Sequence, residues 1–150
     1  MNYSDNNDID VDNLKLASMR SRIKAFIIDD LSITLIVMVM LWDKISLANG
    51  DLMTIMLLMN EAFFQIVVLK FIYQSFFIWY YGATIGKLIA KIKVIDFENY
   101  GRVSLMNSIL RSFGRILSEA IFYIGFLFAY YTDSRQTFHD KFGKTLVIDA

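Results

Sequence analysis

Cysteine and proline are both absent from this chain, histidine occurs once, and the 15 basic residues balance the 15 acidic ones. Without cysteine there are no disulfides, no iron–sulfur clusters and no thiol nucleophile. Without proline, any break in a helix has to come from glycine or from buried polar groups. A zero net charge gives no global field that would gather nucleic acid, so no nucleic-acid partner is expected. A metal centre needs several ligands, so the lone histidine, His139, is expected to be structural. Bases are also missing from residues 1–13, which hold Asp5, Asp8, Asp10 and Asp12. A secretory signal begins with positive charge, so this segment is expected to be a solvated, mobile acidic tail. No nucleophile–base pairing is visible, and neither enzymatic activity nor a cofactor nor a metal is expected.

What the chain has in excess is apolar surface. Hydrophobic residues make up 56% of its 150 positions, and a single domain of that length has too little interior to hide them. Lipid resolves the excess, so residues 1–150 are read as one membrane domain with the bilayer as its main partner. A first apolar stretch, Ile23 to Trp42, is about as long as a hydrocarbon core is thick. Its first part carries Lys24, Asp29 and Asp30. After a loop with the turn pair Asn49-Gly50, a second stretch runs from Leu52 to Ala83, punctuated by Asn60, Glu61, Gln65, Lys70 and Gln74. That is longer than one crossing needs, so the membrane part is placed in its last 20–22 residues or so, with Trp79, Tyr80 and Tyr81 as an interfacial aromatic belt.

Residues 82–104 change character. Gly82 to Lys87 reads as a break and the start of a short amphipathic helix; it lacks the spacing of a phosphate loop. Lys91 to Asp96, K-I-K-V-I-D, alternates and is β-branched, and Lys144 to Asp149, K-T-L-V-I-D, repeats it. Two isolated strands leave their backbones unsatisfied, so the runs are expected to pair. A third apolar stretch, Leu105 to Tyr131, is interrupted by Arg111, Arg115 and Glu119.

Bases near membrane ends favour the cytoplasm. Lys15, Arg20, Arg22 and Lys24 precede the first stretch, Lys87, Lys91, Lys93 and Arg102 follow the second, and the loop between holds only Lys44. The first two spans therefore form a hairpin with both outer ends inside. Arg135, Lys141 and Lys144 argue that the tail is inside too, which requires residues 105–131 to enter and return as a broken or re-entrant segment; a single crossing with the tail outside is the competing topology. The expected fold class is thus all-α, a two-span helical hairpin plus a re-entrant or broken third helical segment, with a small cytoplasmic β-pair.

The chemistry-bearing residues lie within these stretches. At 100° per residue, Lys15, Ser18, Arg22, Ala25, Asp29 and Ser32 share a narrow stripe. On that stripe Arg22 is expected to snorkel outward while Asp29 points to a protein partner. An acid well inside a span costs about 2.5–3.5 kcal/mol, so Asp29 and Asp30 are expected to face protein or water. Matching depths along antiparallel spans puts both level with Gln74 and Ser75, with Lys70 one turn deeper. Lys70 paired with Asp29 or Asp30 is the expected contact, and Arg111 and Arg115 compete for the same acids. Asp29, Asp30 and Lys70 are therefore candidates for ion or proton binding; Gln74, Arg111, Arg115 and His139 are candidates for a network that holds helices in register.

Arg22-Ile23-Lys24-Ala25-Phe26-Ile27-Ile28-Asp29, Gly82-Ala83-Thr84-Ile85-Gly86-Lys87 with Lys91-Ile92-Lys93-Val94, Ile109-Leu110-Arg111, and Arg135-Gln136-Thr137-Phe138-His139-Asp140 with Lys144-Thr145-Leu146-Val147 together resemble the signature of RDD-family membrane proteins over residues 20–148. The resemblance implies that the family's arginine and two aspartates are Arg22, Asp29 and Asp140, with Asp30 an extra acid competing for Asp29's role. Lys144 stands where the family commonly has a small residue. The resemblance also implies a protein integral to the membrane, and with the basic flanks the expected location is the bacterial inner membrane with the N-terminus in the cytoplasm. The family's molecular activity is generally unassigned, with transport suggested. The expected function is ion- or proton-coupled transport by a homo-oligomer; the competing class is a non-transporting scaffold or accessory subunit.

Overall fold

A computed structural model describes residues 14–121 and 131–150. In chain order the elements are α1 (Met19–Met40), α2 (Trp42–Leu47), α3 (Leu52–Glu61), α4 (Phe63–Tyr81), α5 (Ile85–Ile89), β1 (Ile92–Asp96), α6 (Leu105–Ala120), α7 (Phe138–Phe142) and β2 (Thr145–Asp149). The protein is mostly helical, with one small two-stranded sheet.

Hydroxyl side chains start several helices by accepting from otherwise unsatisfied amides of the first turn. Ser18 caps α1, Ser104 caps α6, and Thr137 caps α7 in a reciprocal box with Asp140. The interhelical loop holds the short helix α2 before the turn at Asn49 and Gly50, both of positive φ. The second apolar stretch divides at Ala62, where α3 gives way to α4. Among the described residues, α4 is the one helix long and apolar enough to cross a bilayer by length and composition. α1 is longer but carries Arg20, Arg22, Lys24, Asp29 and Asp30.

Gly82 ends α4 in the left-handed region at φ +71°, a conformation that lets the chain reverse without a Cβ clash. The reversal leads through α5 into β1, which pairs antiparallel with β2 in the register Ile92↔Asp149 to Asp96↔Thr145. The segment before α1 joins the other edge of β2 through a bridge between Leu16 and Ile148. Because α1 begins only at Met19, Lys15 belongs to this bridge region rather than to the helical stripe, and it is exposed.

On α1 charged and apolar residues are buried side by side. Its buried residues are Arg22, Ala25, Asp29, Ile33 and Val37. Ile23, Ile27, Leu31, Leu35, Val39 and Met40 on the same helix are exposed, as are Leu52, Met53, Met56, Phe63, Phe64 and Ile72 across α3 and α4. The inward stripe continues through Ile33 and Val37, not Ser32. Ile33 and Val37 form an apolar cluster with Tyr73, and a second cluster of Ala17, Ala25, Ile78, Ile92, Val94, Val103 and Val147 joins the sheet to the helices.

α6 packs on α4 and, along its other side, on α7. A side chain at Gly114 would meet the His139 Cα at 3.2 Å, so the chain that leaves along α6 comes back beside it before entering β2. The far part of the third apolar stretch, where a re-entrant turn was expected, lies outside the described residues, as does the acidic tail at 1–13.

Candidate functional site

Two carboxylates organise the polar interior. The first is Asp140, fully buried at the start of α7. Its Oδ2 accepts from the Thr137 backbone N–H at 3.1 Å and from Arg22 Nη1 at 2.7 Å, and its Oδ1 accepts from Arg111 Nη1. Arg111 Nη1 also donates to Thr145 Oγ1 at 2.9 Å, which fixes it against the start of β2. One carboxylate thus caps a helix and joins α1 to α6. The expectation that Arg22 snorkels outward is therefore overturned. Arg22 turns inward because α7 brings a carboxylate beneath it, and a buried ion pair holds a guanidinium more firmly than the interface does once the hydrogen bonds are made.

The second carboxylate is Asp29, 1% exposed, at the contact of α1 with α5. Its Oδ1 accepts from Tyr73 Oη at 2.9 Å and from the Gly86 backbone N–H at 2.8 Å; its Oδ2 accepts from Thr84 Oγ1 at 2.6 Å. Lys87 Nζ at 3.8 Å and Arg115 at 4.0 Å supply positive charge without a direct hydrogen bond. Gly86 is required here, since a Cβ would fall 2.9 Å from the Asp29 Cγ and into the Ala25 backbone. Thr84 does double duty, donating to Asp29 while its oxygen accepts from the Lys87 backbone at 3.5 Å to start α5.

Asp30, one step around α1, faces a different environment. Lys70 Nζ lies 3.1 Å from Asp30 Oδ1 and 3.2 Å from Glu119 Oε2, and Arg115 Nε lies 3.3 Å from Glu119 Oε1. The Asp30 side chain is 46% exposed and that of Lys70 25%. A narrow cleft runs between the clusters, lined by Asp29, Asp30, Lys70, Gln74, Arg115 and Glu119. Gln74 is buried on that wall. Arg115 links the two acids' neighbourhoods and stacks its guanidinium 5.1 Å from the Phe26 ring centre.

His139 is buried against Thr137 Oγ1 at 3.0 Å, and burial, reinforced by Arg111 and Arg115, pushes its pKa well below the usual 6.5. Burial likewise pushes the Lys87 ammonium well below its usual range, opposed by Asp29. Among the described residues, no group of three or more His, Asp or Glu side chains is placed to hold a metal.

Depth matching on antiparallel helices identified Asp29, Asp30, Lys70 and Gln74 as one neighbourhood, and these residues do line one cleft. Asp140 entered only through the family resemblance, because nothing local marks the acid of a five-residue helix as the partner of Arg22, 118 positions away. Tyr73, Thr84, Lys87 and Thr145 were missed as site residues. The available signal was Thr84, two residues after a helix-ending glycine and in position to cap α5.

The model of the family described as RDD family matches residues 16–144. An uncharacterized protein of Rickettsia prowazekii (strain Madrid E) is 33% identical over 79 residues, which cover 51% of this chain and 43% of that protein. The match therefore spans less than half of that relative's length. No solved structure matches.

Proposed function

This chain belongs to the RDD family, a membrane-associated family of unknown function, and we propose that it is an integral membrane protein that couples ion or proton movement to transport of a small solute or cation. The observation that carries the reading is the Asp30–Lys70–Glu119 cluster. Two carboxylates share one ammonium: Asp30 and Lys70 lie near the middle of α1 and α4, Glu119 near the end of α6, on helices whose outward faces are apolar. Intramembrane ionisable groups of this kind mark ion and proton pathways, because keeping them in an apolar slab is costly unless they are used. In this role Lys70 is the mobile cation, Asp30 the acid reached from outside the cluster, and Glu119 the acid that retains Lys70 or Arg115 when Asp30 exchanges its partner.

The apolar outer faces of α1, α3 and α4 form the lipid contact, since patches this extensive are unfavourable in water. The bacterial inner membrane, with the N-terminus in the cytoplasm, is the location that the basic flanks favour. The return of the chain alongside α6 supports a tail on the same side as β1. Labelling of cysteines placed at Asn49 and Ser134 tests this: position 49 should react from outside and position 134 only from inside. Two spans and a returning segment are too few to enclose a pathway, so a homo-oligomer without enzymatic activity is the proposed working form.

A scaffold role is the second reading, and the saturation of Asp29 and Asp140 favours it. Both acids have every oxygen hydrogen-bonded, as expected of groups that fix helix register. Reconstitution into liposomes with a trapped pH-sensitive dye and a panel of cations separates the two. Transport predicts a cation-dependent pH change in wild type that Asp30→Asn removes while assembly persists; a scaffold predicts no flux in any condition.

A further inference from the structure

A small cavity lies where α1, α5, α6, α7 and the two strands meet, and its polar wall is made of Arg22, Lys87, Arg111, Arg115, Thr137 and His139. Among the described residues no carboxylate lines it. We propose that this cavity is a binding site for a monatomic anion of the chloride class.

Three observations carry the assignment. The first is charge. The ion pairs fall into two groups: Lys70, Lys87 and Arg115 balance Asp29, Asp30 and Glu119, whereas Arg22 and Arg111 share Asp140 alone. The difference is one positive charge, and a monoanion cancels it. The second is hydrogen bonding. Arg22 is 9% exposed and its Nη1 is taken by Asp140, while its buried Nε and Nη2 have no hydrogen-bond partner among the described residues. Buried donors on a charged group are rarely left unmet, and these belong to a residue of the cavity wall. The third is size. The cavity volume is about 30 Å³, room for roughly two waters or one halide by the volume a single water needs.

Lys87 links these observations. Burial drives its ammonium toward the neutral form, while Asp29 opposes this and the neighbouring arginines reinforce it. A halide beside it adds a second negative neighbour to Asp29, so anion entry and a charged Lys87 support each other.

The test uses the full-length protein purified in detergent or nanodiscs at constant ionic strength, with chloride exchanged for gluconate. The expected result is a saturable rise in melting temperature with chloride of about 5 °C, reproduced by bromide and not by sulfate. Arg22→Lys keeps the charge and removes the two unmet donors. Val147→Ile leaves every charge in place and fills the cavity, which Val147 also lines. Both should abolish the chloride dependence, and if Arg22→Lys does not fold, Val147→Ile decides alone. Identical melting temperatures in chloride and gluconate for the wild type would overturn the assignment and leave the cavity to water. A chloride dependence unchanged in Val147→Ile would place the ion elsewhere and overturn it equally.

Discussion

Asp140 and Asp30 are both carboxylates held by basic side chains, and they sit in opposite surroundings. Asp140 is fully buried, is contacted by two arginines and caps a helix with the same oxygen that binds Arg22. Asp30 is about half exposed and has one lysine, which it shares with Glu119. The first arrangement has no slack: every change of charge state leaves a buried ion without its counterion. The second has a spare acid, so the lysine can move between partners at little cost. Opposite charges in contact therefore mean different things in the two places. One cluster locks α1, α6 and α7 together; the other is able to exchange its contacts.

Substitutions at the two clusters should separate accordingly. Asp140→Asn is expected to have the largest effect, because it strips the counterion from two buried guanidiniums; a loss of about 3–5 kcal/mol is expected. Loss of the monodisperse peak in detergent size exclusion would register it, and a well-assembled Asp140→Asn protein would contradict the locking role. Gly86→Ala comes next, at about 1–3 kcal/mol, since α5 must retreat from α1 and the amide bond to Asp29 lengthens. A thermal melt that matches wild type would show that this contact is slack.

The pH dependence bears on the locked side of the comparison. His139 is buried in neutral form, with its folded pKa well below 6.5. The unfolded chain takes up a proton near pH 6.5 and the folded one does not. The stability that the neutral ring contributes is therefore complete above about pH 6.5 and is lost as pH falls below it, at roughly 1.4 kcal/mol per pH unit until the folded pKa is reached. Denaturant titrations at pH 7 and pH 5.5 should show this slope in wild type and a shallower one in His139→Gln. An equal slope in both would assign the acid sensitivity to other groups. Asp30→Asn is expected to have the smallest effect on stability, about 1 kcal/mol or less, because Lys70 keeps Glu119 and the pair is partly exposed.

The parts of this architecture that could be read before any coordinates were those set by local rules. The K-x-x-V-I-D repeat announced two strands that needed each other, and Gly82 announced a break before a short helix. Antiparallel depth matching brought Lys70 to the level of the acids on α1. The rest depended on contacts that no local pattern encodes. Asp140 and Arg22 meet across 118 residues, through a helix too short to show periodicity. Arg22 was assigned an outward course because a long side chain can snorkel to the interface, but its partner arrives from α7. Thr84 and Tyr73 are ordinary cap and aromatic residues until α5 folds back on α1 and turns their hydroxyls onto Asp29.

The most direct measurement compares Asp30→Asn with wild type in two readings on the same preparation: the melting temperature and the cation-driven pH change inside liposomes. The melting temperature should move by only a few degrees while flux falls at least tenfold. Flux that persists at the wild-type rate in Asp30→Asn, or its loss only in step with unfolding, would contradict the division between a locked cluster at Asp140 and a working one at Asp30.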